Sequence, residues 1–295
     1  MIDKLRKGLL HSINVHGHAF QYAVLKAAEK LFEDNESPWV FEVAEFPVLN
    51  KSTPIHIDFI LRNKFDQSYF IAECKRCDPA LSNWCFIKVP YVSRGTSSGR
   101  ERIVRELVFR KKENNLVHTG LQWIERSSDI YRLPFELKSN DKGEGCYGRG
   151  QINDAITQVL RGLNGMIEFA VNKLKIGNHK LFKEDSRGTM YASFLPVIFT
   201  TAKLWVCDYD ISEADIESGK VNLGEAKLEE RKWLFYQYAQ SPDLKHPYSF
   251  TGLESDMPHI LYADYTRTIP IVNSEGIKDF LSYSFWTEPD DWQSG

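Results

Sequence analysis

Two apolar segments that carry three charged residues constrain this chain more than any other part of its sequence. Residues 55–60 (IHIDFI) and 69–75 (YFIAECK) are rich in β-branched and aromatic side chains, and the polar stretch 62–68 between them predicts a β-hairpin. Because side chains alternate along a strand, Glu73 and Lys75 should share one face. Charged side chains in such strands are unfavourable, by on the order of several kcal/mol, unless a partner or a metal compensates them. The hairpin therefore predicts a functional site.

The composition is typical of a globular protein, with 42% apolar and 26% charged residues. The chain can bury a substantial core, and wholesale disorder is excluded. Its 295 residues exceed the usual size of one domain, but α/β folds of this length often remain a single unit with insertions. We expect one domain over residues 1–295, with an inserted segment at about 78–150 and a C-terminal extension at about 211–295.

The chain has no run of about 18 apolar residues and no signal-type apolar core near its N-terminus, so we expect a soluble, cytoplasmic protein without a membrane partner.

The five cysteines are an odd number without secreted-domain spacing, and we expect them to be reduced. Cys74 and Cys77 have the CxxC spacing of zinc ligands, but Cys74 is equally explained as a buried thiol. The formal net charge of −3 requires any nucleic-acid contact to come from a local patch.

Two amphipathic helices are predicted around the hairpin. Residues 17–32 place an apolar stripe on one side, with Gln21 at its flank, where an amide can reach toward a site. Residues 151–174 form the second helix, in which Gln151 and Gln158 lie two turns apart on nearly the same face. Either glutamine can touch the site or remain an ordinary surface residue.

Further elements follow from local patterns of β-branched, aromatic and turn residues. Strands that extend the sheet of the hairpin are predicted at 39–46, 193–201 and 204–209, and another strand at 83–89. A helix is predicted at 225–240, an edge strand that carries a proline at 268–273, a short helix at 276–283 and a loose tail at 289–292.

A basic run between Arg94 and Lys112 contains seven lysines or arginines and two acids. Ile103 and Leu107 give it an apolar stripe at helical spacing, so the run is either a solvated helix that covers the core or a flap that contacts phosphates. The second interpretation makes four arginines substrate-binding residues: Arg94, Arg100, Arg102 and Arg105.

The charged residues of the hairpin suit phosphodiester hydrolysis, which needs a hard cation to offset phosphate charge and to acidify water. Asp58 and Glu73 would bind Mg²⁺, with Mn²⁺ as a substitute, and the carbonyl oxygen of Cys74 would be a third ligand. Lys75 would orient or help to deprotonate the attacking water. The alternative is that Asp58 is a strand-edge acid and that Glu73 and Lys75 form an ordinary ion pair.

The order of these elements resembles the PD-(D/E)xK nuclease superfamily, over about residues 15 to 210. The resemblance rests on the first helix, on Ile57-Asp58, on Ala72-Glu73-Cys74-Lys75 and on the later helix that begins Gln151-Ile152-Asn153-Asp154-Ala155. It implies an α/β fold of the restriction-endonuclease-like type, with a central mixed β-sheet flanked by helices and with insertions. It also implies a Mg²⁺-dependent deoxyribonuclease, an endonuclease rather than an exonuclease, in which Gln151 joins Asp58, Glu73 and Lys75 as a catalytic residue. DNA is the implied partner, and a homodimer is compatible with it.

Two departures from the pattern of this superfamily leave other functions open. Gln21 stands where many of these nucleases carry a glutamate on the first helix, and an amide is a weaker metal ligand. About 75 residues separate Lys75 from Gln151, which implies an insertion that contains the basic run. The alternative function is a catalytically silent module of the same fold that binds nucleic acid or a protein partner, and the third is a scaffold without a site.

Overall fold

The structure is a computed structural model, and it describes most of the chain. The described residues are 2–15, 17–77, 82–88, 101–110, 116–126, 130–137, 150–176, 180–184, 186, 188–221, 224, 227–239, 244–247 and 266–282. The helices are α1 (Ile2–Val15), α2 (His18–Glu33), α3 (Gly150–Lys175) and α4 (Ile277–Leu281). None of the described helices combines the length and the hydropathy that a bilayer crossing requires.

The strands are numbered in chain order. They are β1 (Trp39–Asn50), β2 (Thr53–Asn63), β3 (Ser68–Lys75), β4 (Asn83–Ile87), β5 (Glu101–Arg110), β6 (Val117–Arg126), β7 (Ile130–Tyr131), β8 (Leu133–Leu137), β9 (Lys183–Glu184), β10 (Met190–Thr200), β11 (Lys203–Asp208), β12 (Lys227–Arg231), β13 (Trp233–Ala239) and β14 (Thr266–Asn273).

A large mixed sheet forms the centre of the protein, in the order β1-β2-β3-β10-β14-β13-β7. Strands β1, β2 and β3 are antiparallel neighbours, whereas β10 runs parallel to both β3 and β14. Strand β10 pairs with β5 near its start and with β14 near its end, and β6 and β9 complete this sheet. A smaller sheet has the order β12-β11-β4-β8.

Helices cover the large sheet on both faces, which gives an α/β architecture with a central mixed sheet. Helix α3 packs on one face, where its Ile156 and Leu163 join Ile57, Ile71 and other strand residues in one core. Helices α2 and α4 pack on the other face over a second core that contains Phe59 and Phe70. The hairpin of β2 and β3 is thus enclosed between two helical layers, except where its strands reach an open cleft.

Most of the predicted elements around the hairpin are confirmed. The helices predicted at 17–32 and 151–174 are α2 and α3, and the hairpin strands are β2 and β3. The strand predicted at 39–46 continues through Pro47 to Asn50 because β1 is an edge strand, where a missing N–H is tolerated. The strand at 83–89 is β4, and the helix at 276–283 is the shorter α4. The tail at 289–292 lies outside the described residues.

The helix predicted for the basic run is wrong, because residues 101–110 form strand β5. This strand pairs with both β6 and β10, and the consecutive residues Leu107 and Val108 are both buried. A strand that is covered on both faces has no period-two pattern, so its apolar residues imitated a helical stripe.

The helix predicted at 225–240 is wrong for the same reason. Strands β12 and β13 occupy this stretch, and Leu234, Phe235 and Tyr236 are consecutive and buried. An apolar run that is buried on all sides does not reveal its own period.

Two predicted strand positions are also wrong. Strand β14 lies inside the large sheet, although Pro270 had suggested an edge. The ladder between β10 and β14 begins only at Ile271, so the proline stands just outside it. Strand β11 belongs to the smaller sheet and pairs with β4 and β12, because the chain changes sheets at the short connection after Thr200.

Candidate active site

Asp58 and Glu73 lie opposite each other on adjacent strands. The antiparallel ladder of β2 and β3 ends at the pair of Phe59 and Ala72, Asp58 and Glu73 directly follow this pair, and the charge of Asp58 acts on Glu73. Both carboxylates line a cleft of about 530 Å³ between the hairpin of β1 and β2 and helix α3. The structure thus brings these two acids to one cleft, and their roles as metal ligands stay a prediction.

An irregularity in β1 and β2 turns Asp58 toward this cleft. The two strands pair Ala44 with Phe59 and Phe46 with Ile57, so Glu45 and Asp58 lie opposite each other between these two pairs. Glu45 has a positive φ of 52°, a conformation that costs a non-glycine residue about 1–2 kcal/mol. Ile57 packs in the core under α3 and Phe59 in the core under α2, whereas regular alternation would place both on one face. Strained backbone of this kind is commonly found at functional sites.

Two hydrogen-bond donors fix the acidic residues in place. The backbone N–H of Cys74 donates to Oδ2 of Asp58 at 2.7 Å. The buried amide of Gln21 donates from Nε2 to Oε1 of Glu45 at 2.7 Å and to the carbonyl oxygen of Asp58 at 2.8 Å. Gln21 thus connects α2 to both β1 and β2. Helix α2 has no acid at this position, but the amide of Gln21 binds the carboxylate of Glu45 from β1.

Burial makes the two central carboxylates reluctant to ionise. Desolvation raises the pKa of Asp58 from 3.8 to about 6, with a smaller contribution from the charge of Glu45. Burial and then the neighbouring charge of Asp58 raise the pKa of Glu73 well above its ordinary value. The positive charge of Lys75 opposes both changes but does not outweigh them. Within the described part of the chain, the Glu73 carboxylate accepts no hydrogen bond and makes no ion pair closer than 4 Å.

The donor chemistry fits a hard divalent cation, which prefers oxygen ligands and would offset two adjacent buried carboxylates. The residues that would hold such a cation are Asp58 and Glu73, with Glu45 held nearby. Among the described residues, no group of three or more His, Cys, Asp and Glu side chains is arranged so that it could hold a metal ion. The candidate site therefore consists of two facing carboxylates rather than a closed cage.

The thiol of Cys74 takes no part in this cleft. It packs against the core under α2, and burial raises its pKa well above the ordinary value, which favours the neutral thiol. The described cysteines Cys74, Cys77, Cys85 and Cys207 are free. The arrangement agrees with the buried-thiol interpretation of Cys74, whereas the role of its carbonyl oxygen as a ligand stays a prediction.

The other predicted site residues fall in different places. Lys75 ends β3, partly buried and close enough to Asp58 and Glu73 to lower both pKa values. Gln151 does not line the cleft, whereas Gln158 two turns later does. Arg94 and Arg100 lie outside the described residues. Arg102 and Arg105 belong to β5, and the structure describes the backbone of these two residues but not their side chains.

Sequence reasoning missed three residues of this region: Glu45, Lys51 and Arg161. Lys51 and Arg161 line the cleft from the hairpin turn and from α3. Glu45 belongs to an ordinary strand pattern, and only the register between β1 and β2 brings it opposite Asp58. For Arg161 a signal did exist, because it follows Gln158 by three residues and therefore lies on the same side of the helix.

Comparisons with family models, with curated proteins and with solved structures return no match. The resemblance to the PD-(D/E)xK superfamily therefore rests on the motif, on the order of elements and on the cleft geometry, and it enters below as a proposal.

Proposed function

We propose that the protein is a Mg²⁺-dependent nuclease that hydrolyses DNA phosphodiester bonds within a fold of the restriction-endonuclease-like type. The observation that carries this proposal is the pair of carboxylates, Asp58 and Glu73, which are largely buried, only partly compensated by Lys75 and exposed to an open cleft. Structural carboxylates are normally paired when buried, whereas strongly perturbed and uncompensated ones concentrate at functional sites.

The roles of the protein groups follow from their positions. A cation held by Asp58 and Glu73 would supply positive charge against the phosphate and lower the pKa of a bound water. The N–H of Cys74 fixes one oxygen of Asp58 and leaves the other oxygen available as a ligand. Gln21 holds Glu45 beside the pair. Lys75 orients the water or stabilises negative charge that develops on the phosphate.

The proposed activity is tested with purified protein and supercoiled plasmid, linear duplex and single-stranded DNA in Mg²⁺ or Mn²⁺. Asp58→Ala, Glu73→Ala and Lys75→Ala should each lower the cleavage rate by at least about 10²-fold, since each removes a group at the reacting phosphate. Asp154→Ala removes an exposed acid from α3, outside the residues that line the cleft, and serves as the matched control.

Two outcomes would contradict this assignment. Cleavage that survives all three substitutions would exclude Asp58, Glu73 and Lys75 as the catalytic groups. Absence of cleavage by the unmodified protein, with DNA binding that weakens as salt is added, would support the catalytically silent module instead.

A further inference from the structure

We infer, on the basis of the proposed function, that the carboxylate cleft takes a single nucleic-acid strand and grips its phosphates between Lys51 and Arg161. These two cations line the cleft from different elements, Lys51 from the turn between β1 and β2 and Arg161 from helix α3, and Asp58 and Glu73 line the same cleft. The arrangement sets positive charge around a reactive centre that would otherwise repel phosphate.

The size of the cleft selects the substrate. Its volume of about 530 Å³ lies within the range of about 300–1,000 Å³ that holds one small molecule. An unpaired strand can enter such a space with one or two nucleotides, whereas the two strands of a duplex cannot enter it together and would have to lie across its mouth. A phosphate that reaches Asp58 and Glu73 should therefore belong to a single strand, a frayed end or an unpaired segment.

The walls of the cleft are held at a fixed separation, so widening it is costly. A Cβ atom on Gly165 of α3 would lie 2.6 Å from Cγ2 of Val48, so β1 already touches the helix there. The Glu168 carboxylate of α3 accepts a hydrogen bond from the backbone of Lys51 and also feels the charge of that side chain. Lys51 and Ser52 form the turn with positive φ values of 48° and 69°, as in the tight turns that close two-residue hairpins.

The lining also indicates what the cleft recognises. Apart from Pro54 and Ile55, the described side chains that line it are charged or polar, and none of them is Trp, Tyr or Phe. Stacking on such aromatic rings is the usual source of affinity for unpaired bases. The cleft should therefore read the sugar–phosphate backbone, with little dependence on base sequence.

Fluorescence anisotropy of the full-length protein in EDTA tests this inference without any cleavage. A short fluorescent oligodeoxynucleotide should bind about 10-fold tighter as a single strand than as a blunt duplex at equal salt. Arg161→Gln and Lys51→Gln should each weaken single-strand binding about 3- to 10-fold and reduce the slope of log K against log salt by about 0.7. Lys175→Gln, an exposed position at the end of the same helix, should leave affinity and slope unchanged.

Equal or tighter binding of the duplex, or slopes that the two cleft variants leave unchanged, would overturn the inference. Thermal unfolding of each variant verifies that it is folded before its affinity is compared. A protein that binds single strands as expected but never cleaves would refute the nuclease proposal and leave the strand-binding inference standing. A protein that cleaves DNA but binds duplex more tightly would refute the strand-binding inference and leave the nuclease proposal standing.

Discussion

Two groups of buried charges in this protein are built in opposite ways. Glu106 of β5 is 1% exposed and forms ion pairs with Arg267 of β14 and with His246, whose Nε2 lies 2.8 Å from Oε2 of Glu106. Burial alone would raise the pKa of Glu106, but Arg267 and His246 outweigh it and lower the pKa below its ordinary value. At Asp58 and Glu73 burial prevails, and both pKa values are raised.

The difference separates a structural from a functional use of buried charge. The Glu106 group has its compensation within the chain and connects β5, β14 and the segment 244–247. The pair formed by Asp58 and Glu73 receives only partial compensation from Lys75, and it lines a cleft. A ligand of positive charge can supply the remainder, so incomplete compensation is what a cation site needs before the cation binds.

Breaking the compensated group should have the largest effect on stability. Glu106→Gln leaves Arg267 buried without its counter-charge, and we expect the free energy of unfolding at neutral pH to fall by about 3–5 kcal/mol. The penalty should begin to fade as the pH falls below 4.5, where this carboxyl group is protonated in the unfolded chain, and it should vanish once the pH has fallen through the lowered pKa of Glu106 in the folded protein. Denaturant unfolding at several pH values measures both effects.

An exposed pair provides the control for this variant. Glu229→Gln removes a carboxylate that contacts Arg231 at 3.0 Å on the surface, and it should change stability by less than about 1 kcal/mol. If both variants lose the same small amount, Glu106 is not the buried partner that holds these elements together.

Removing charge from the uncompensated pair should stabilise the protein instead. At pH 8 without divalent cations, Glu73→Gln should raise the free energy of unfolding by on the order of 1–3 kcal/mol, because it removes a desolvated ion. Groups with raised pKa values bind protons more tightly in the folded state, so their ionisation lowers stability as the pH rises. The gain should therefore shrink as the pH is lowered from 8 through the raised pKa of Glu73.

Cation binding gives this variant a second readout. Mg²⁺ or Mn²⁺ should raise the midpoint of thermal unfolding of the unmodified protein at pH 8 and do so much less for Glu73→Gln. A variant that is less stable than the unmodified protein at pH 8, or that responds equally to the cation, would remove the contrast between the two groups.

The sequence predicted the hairpin and its charges well because the evidence for them is local. Asp58, Glu73 and Lys75 lie within strands that their own neighbours specify, and the pairing of β2 with β3 follows from a short connection. The helices α2 and α3 were equally predictable, since each buries one clear stripe.

The residues that complete the two charged groups were not predictable from local pattern. Glu106 and Arg267 are 161 positions apart and meet because β5 and β14 pair with successive parts of the same edge of β10. Glu45 faces Asp58 because of the register in which β1 and β2 pair. Such contacts depend on register and sheet order, which the period of apolar residues does not encode.

The smallest expected effect comes from replacing Gln21 of α2 with an acid. Gln21→Glu cannot donate to the carbonyl oxygen of Asp58 while it is ionised, and it places a second charge against Glu45. We expect a loss of about 1–2 kcal/mol in unfolding free energy at pH 8, which diminishes at lower pH as the added carboxylate is protonated. Gln158→Glu, which adds the same charge at an exposed position of the cleft, should cost less because water screens it. Equal losses in the two variants would mean that the buried hydrogen bonds of Gln21 contribute little to the arrangement of Glu45 and Asp58, and that the acidic cleft is shaped by its strands alone.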